Sequence, residues 1–129
     1  MGYGLLAEIS TVLTIILIVM AYRYVFARGL SDADYAAFGQ RVGLAVGIVG
    51  GTLYTYLYAR LLMRRLTARF LAHGLVVALA AIAFSIAGSI AGHQGVPAGC
   101  VLASVLKVAA GALAGFLYSR SISLNRNVV

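Results

Sequence analysis

Acidic residues are almost missing from this chain: Glu8, Asp32 and Asp34 are the only three, against nine arginines and one lysine in 129 residues. With so few carboxylates, Glu8 with His73 is the only plausible acid–base pair. Tryptophan is absent, and proline and cysteine each occur once, as Pro97 and Cys100. A lone cysteine excludes an intramolecular disulfide and a cysteine metal site, so Cys100 reads as a small packing residue. Charge of either sign is scarce, at 10% of residues. An ordinary soluble domain carries about 25%, so that class is excluded.

What fills the chain is apolar surface, 63% of residues with a mean hydropathy of +1.01. A spanning helix needs roughly 20 apolar residues. Four spans with short connections therefore use nearly the whole length as a single transmembrane domain, residues 1–129. The expected fold is an all-α membrane protein with four transmembrane helices, over about 5–26, 42–59, 70–91 and 97–118. The first run lacks a basic leader and continues through Tyr22, Arg23 and Tyr24 without a cleavage motif, so it reads as a retained span.

The net charge of +7 would suggest nucleic acid in a soluble protein. Here the arginines cluster at segment ends, where they meet headgroups and set topology, and no nucleic-acid partner is expected. Arg60, Arg64, Arg65, Arg69, Arg120 and Arg126 fall on one side. Arg23, Arg28 and Arg41 fall on the other, partly offset by Asp32 and Asp34. The positive-inside rule then places both termini and the central loop in the cytoplasm. Between the first two spans, Ala27–Gln40 reads as an amphipathic lead-in at the membrane surface, with Ser31-Asp32 as a helix-start signal.

The segments also look related. GTLYTYLYAR, residues 51–60, aligns without gaps on GALAGFLYSR, residues 111–120, and Leu6-Ala7-Glu8 echoes Leu71-Ala72-His73. A duplicated hairpin implies two repeated helical hairpins about an axis along the membrane normal. It makes Arg60 and Arg120 equivalent, and it sets Gly47 opposite Lys107, as if the lysine fills space the glycine leaves.

Lys107 is the residue hardest to place. It shares a helix face with Ala103, Gly111 and Gly115, the small-residue side that usually packs against protein. It stands roughly 15–20 Å from either end of its helix, and an ionisable group at that depth is a functional candidate by default. Glu8 is the one acid inside a span. It is expected near the cytoplasmic end of its helix, while a lysine here leans toward the outer side, which makes a direct pair awkward. Carbonyls and Ser or Thr hydroxyls are the alternative partners. His73 and His93 read as interfacial polar residues, since neither has a second ligand at metal spacing. No nucleophilic set is present, and neither catalysis nor a cofactor is expected.

The hairpin pattern resembles the GtrA-like family of small four-span bacterial membrane proteins. The residues that carry the likeness are Gly51-Thr52-Leu53-Tyr54-Thr55-Tyr56-Leu57 with Arg60, Thr67-Ala68-Arg69-Phe70, Val96-Pro97, and Phe116-Leu117 with Arg120. Ala59 and Ser119 stand where that family usually has asparagine. The resemblance implies a multi-pass protein of the bacterial inner membrane that binds or translocates a polyprenyl-phosphate-linked sugar, or a similar anionic lipid, for cell-surface polysaccharide synthesis. The expected lipid-binding residues are Arg60, Arg120, Lys107, Arg64, Arg65, Glu8, Tyr58 and Tyr118, with arginine suited to phosphate by its bidentate geometry. Four thin spans enclose little volume, so the expected partners are further copies of the chain or a membrane protein such as a glycosyltransferase. Two other functions fit the residues: a non-catalytic membrane subunit, and an oligomeric anion channel or small transporter using Lys107.

Overall fold

The computed structural model describes residues 2–91 and 98–126. Helix α1 covers Gly2–Ala21 and continues as a π-helical turn, Tyr22–Phe26; α2 covers Asp32–Met63, α3 Phe70–Ala91 and α4 Ala98–Arg126. No strand occurs among the described residues. Each of the four helices is long and apolar enough to cross a membrane, the architecture hydrocarbon demands because helices satisfy their own backbone polar groups. His93 and Pro97, with the turn expected around them, lie outside the described residues.

The second helix is longer than its apolar run. Of the stretch 27–40, expected as an amphipathic lead-in at the surface, residues 32–40 are the opening turns of α2 and run unbroken into the span. The local sequence accounts for this. Ser31 is extended and its hydroxyl accepts from the Asp34 N–H at 3.3 Å. Asp32 and Asp34 sit in the first turn, where they complement the helix dipole. No proline interrupts residues 32–63. The reversal before it uses Gly29, at φ +87°, and is tied down by Tyr35, whose hydroxyl donates to the Ala27 carbonyl at 2.7 Å. Tyr22 stacks on Phe38 with ring centroids 3.7 Å apart, so the α1–α2 hairpin stays closed beyond its apolar core.

Helix α4 packs on both α2 and α3, and α1 packs on α2 and α3. The start of α1, the 64–69 turn and the end of α4 face one end of the bundle, which carries most of the arginines. The α3–α4 contact is the tightest, because backbone meets backbone. A Cβ added at Gly74 would overlap the Gly111 carbonyl, and one added at Gly111 would overlap the Gly74 carbonyl. Gly115 approaches α3 almost as closely, with Leu71 Cα and the Phe70 carbonyl each 2.7 Å from where its Cβ would stand. Small residues every fourth position create this approach, which in a bilayer replaces the hydrophobic drive between helices. Ala59, Met63, Val77 and Ala114 form the buried core at the arginine end, flanked by Tyr3, Tyr56, Phe70 and Tyr118.

Candidate functional site

Two polar features stand out, one at the centre of the bundle and one at its arginine end. In the centre lies Lys107, with 3% of its side chain exposed. Its ammonium donates to Glu8 Oε2 at 2.7 Å and to Ser85 Oγ at 2.8 Å, and Ser85 Oγ donates in turn to Glu8 Oε1 at 2.5 Å. The lysine stem passes over Gly51, where an added Cβ would stand 2.9 Å from Lys107 Cε. The node therefore draws on every helix: Glu8 from α1, Gly51 from α2, Ser85 from α3 and Lys107 from α4.

This corrects two expectations. The Glu8–Lys107 pair is direct, because Glu8 is not level with the beginning of α3. It lies about 9 Å of helical rise from the start of α1, yet it meets Ser85, about 22 Å along α3. Since α1 and α3 run the same way, α1 begins roughly 13 Å farther along the bundle. The lean of the lysine toward the start of α4 then carries its ammonium to the carboxylate instead of away from it. The second correction concerns the glycine. Gly47 has nothing within 4 Å of a would-be Cβ, and the space the lysine uses belongs to Gly51, one turn later.

Among the described residues the lysine's partners are the carboxylate and Ser85, and the neighbouring hydroxyls direct their protons elsewhere. Buried Thr11 and Thr55 donate to the carbonyls of Ala7 and Gly51 at 2.9 and 2.7 Å. Ser10 and Thr14 bond the hydroxyls of Tyr58 and Tyr54, each at 2.9 Å, and join α1 to α2. Gly51→Ala is a direct probe of the node. Its methyl group meets a stem pinned at both hydrogen bonds, so a loss of about 1–3 kcal/mol is expected. Gly47→Ala should change stability by less than about 0.5 kcal/mol. Unfolding of the two variants in the same bilayer-mimetic micelle compares them.

The second feature is a small cleft of about 80 Å³ between α2 and α4 at the arginine end, lined by Tyr56, Arg60, Leu117, Tyr118 and Ser121 over Ala114. Helical period explains its membership. Tyr56 and Arg60 are four apart, while Leu117, Tyr118 and Ser121 cluster at three- and four-residue spacing on the facing helix. Tyr118 is held by Phe70 of α3, with ring centroids 5.1 Å apart.

The structure thus unites Arg60 and Tyr118 but distributes the other expected residues. Tyr58, two positions from Arg60, falls on the opposite side of α2 and bonds Ser10 on α1. Arg120 is exposed and does not line the cleft. Arg64 and Arg65 are exposed on the turn. Lys107 and Glu8 join each other in the bundle centre, away from the arginines. Tyr56, Ser121 and Ser85 were not anticipated. The four-residue step from Arg60 marks Tyr56 in the sequence, whereas nothing along the chain singles out Ser85. His73 uses Nδ1 on the Arg69 carbonyl at 2.9 Å, and Arg69 itself has φ 57°, a conformation few non-glycine residues adopt.

Set against known proteins, the chain matches no family model, no curated sequence and no solved structure. Function has to be argued from the geometry.

Proposed function

We propose that this is a multi-pass protein of a bacterial inner membrane that binds the phosphate of an anionic lipid, in the class of polyprenyl-phosphate-linked sugars, at the arginine end of α2 and α4. One observation carries the reading. Arg60 shares its cleft with two phenols able to donate to phosphate oxygens and with Ser121, whose hydroxyl donates to the Tyr118 carbonyl at 3.2 Å. A volume of about 80 Å³ suits a phosphate group and little more, so sugar and isoprenoid would remain outside the bundle. In this reading both termini are cytoplasmic, the two hairpins are repeats as in GtrA-like proteins, and the exposed Arg64, Arg65 and Arg120 attract the headgroup. The packed centre favours binding and presentation, to a partner such as a glycosyltransferase, over passage through a single chain.

The Lys107 channel reading is weakened because its ammonium is already held by a carboxylate and a hydroxyl. The subunit reading keeps one specific support. Gly43 and Gly47 of α2 have open space where a Cβ would stand, a surface another helix can approach closely.

Native mass spectrometry of protein extracted in nanodiscs tests the proposal. Wild type should retain a polyprenyl phosphate, and Arg60→Ala should weaken retention about tenfold or more, as expected for a lost charge-assisted contact. Arg120→Ala should have a smaller effect. A wild-type protein that carries no such lipid but always a second polypeptide would move the function to the subunit reading.

A further inference from the structure

One backbone angle at the arginine end bears on the cleft. Arg69, directly before α3, has φ 57°, in the left-handed region where a side chain as bulky as arginine is uncommon. A residue that opens a helix ordinarily has extended backbone. The left-handed form costs free energy and persists only where the surroundings over-determine it. Here the Arg69 carbonyl accepts twice from one residue, from the His73 backbone N–H at 3.2 Å and from the His73 ring Nδ1–H at 2.9 Å. The Arg69 side chain is exposed, so the conformation is held through the backbone.

What the angle delivers is the place of the next residue, Phe70, which meets α4 at two points. The Phe70 carbonyl and Leu71 Cα each lie 2.7 Å from where a Gly115 Cβ would stand. The Phe70 ring packs on Tyr118, with centroids 5.1 Å apart. Gly115 and Tyr118 are three residues apart and share a face of α4. The first turn of α3 therefore has one setting on α4, and another backbone conformation at Arg69 would bring the chain into that turn from a different direction. Tyr118 is half-buried and lines the cleft with Arg60 and Tyr56. A phenol left free to swing must be ordered when a ligand binds, at a cost in rotamer entropy. Contact with Phe70 orders this one beforehand.

We propose that Arg69 is a positioning residue for the cleft. Its left-handed backbone fixes Phe70 against Tyr118 and so holds the Tyr118 ring in the cleft wall. It acts through this backbone and not through its charge. The inference rests on the reading of the cleft as a phosphate site.

The experiment compares three neutral substitutions in the full chain, in phosphatidylcholine nanodiscs, with farnesyl phosphate as the probe and farnesol as its uncharged counterpart. Glycine and asparagine accept left-handed backbone and β-branched valine does not, while all three remove the same charge. A single 3-fluorotyrosine at position 118 reports the ring by fluorine NMR. Arg69→Gly and Arg69→Asn should bind farnesyl phosphate within about twofold of wild type, as surface substitutions do, and leave the resonance in place. Arg69→Val should bind about tenfold more weakly, the loss expected of one hydrogen bond to a charged group, and should move the resonance. Phe70→Leu removes the ring and keeps an apolar side chain. It should weaken binding as much, so the outcome does not hang on whether Arg69→Val folds. Equal binding and equal resonances in the three neutral variants would overturn the proposal, as would unchanged binding in Phe70→Leu. A wild type that holds farnesyl phosphate no better than farnesol would remove the phosphate reading, and the proposal would then stand or fall on whether Arg69→Val, unlike Arg69→Gly, moves the Tyr118 resonance.

Discussion

Lys107→Met should be the most destabilising single substitution in the spans, with a loss of about 3–5 kcal/mol, the usual result of removing one partner from a buried ion pair. The reason lies in what the substitution leaves behind. With ammonium and carboxylate 2.7 Å apart, the direct attraction is about 6 kcal/mol at an effective dielectric constant near 20. Desolvating the two ions costs several kcal/mol each, so the intact pair adds little net stability. Remove the lysine, and the Glu8 carboxylate keeps its desolvation cost with only Ser85 to offset it. The double variant Glu8→Gln/Lys107→Met should therefore recover most of the loss, because Ser85 can still donate to the amide oxygen of the substituted side chain and no charge is left unpaired. Reversible unfolding of wild type, both single variants and the double variant in bilayer-like micelles completes the cycle. If Lys107→Met stays within about 1 kcal/mol of wild type, the carboxylate is solvated some other way and the node is not the fold's central constraint.

Gly111→Ala should come second, for an unrelated reason. The added methyl group would overlap the Gly74 carbonyl and stand 3.0 Å from Ala78 Cβ. Neither is the end of a flexible side chain, so no rotamer change relieves the overlap, and α3 and α4 must separate. Overpacking of this kind costs about 1–3 kcal/mol, more where the backbone has to move. Separation also loosens Val77 and Ala114 in the core beside it. Gly74→Ala should behave alike, since the overlap is reciprocal. Gly88→Ala, in open space on α3, is the control, and it should be neutral or slightly stabilising through helix propensity. Parallel thermal unfolding of the three glycine variants distinguishes contact from propensity. Equal midpoints for Gly111→Ala and Gly88→Ala would mean the two backbones do not touch.

The helices were legible because hydropathy alone sets them: four long apolar runs leave few alternatives in a chain this short. The packed face of α4 was legible too, since Ala103, Lys107, Gly111 and Gly115 recur at helical spacing. What could not be read was axial register. Nothing in a sequence states how far α1 slides along α3, and that slide decides whether Glu8 reaches Lys107. The assignment of Gly47 as the lysine's counterpart failed for a similar reason. It followed the alignment of 51–60 on 111–120, whereas the stem's path depends on its lean along α4 and lands one turn away, on Gly51. At the arginine end, proximity in sequence suggested Tyr58 beside Arg60, but a helix turns two residues to nearly opposite faces. Tyr56 takes that place.

The pairing of Glu8 with Lys107 also bears on how the chain is made. Glu8 belongs to the first helix and Lys107 to the last, 99 residues later. At a synthesis rate of about 5–20 residues per second, the carboxylate waits some 5–20 s for its partner. During that interval three helices have emerged and the closing charge has not. Until α4 arrives, the nascent chain carries an uncompensated acid in α1, and the arrival of Lys107 is the event that locks the four-helix bundle.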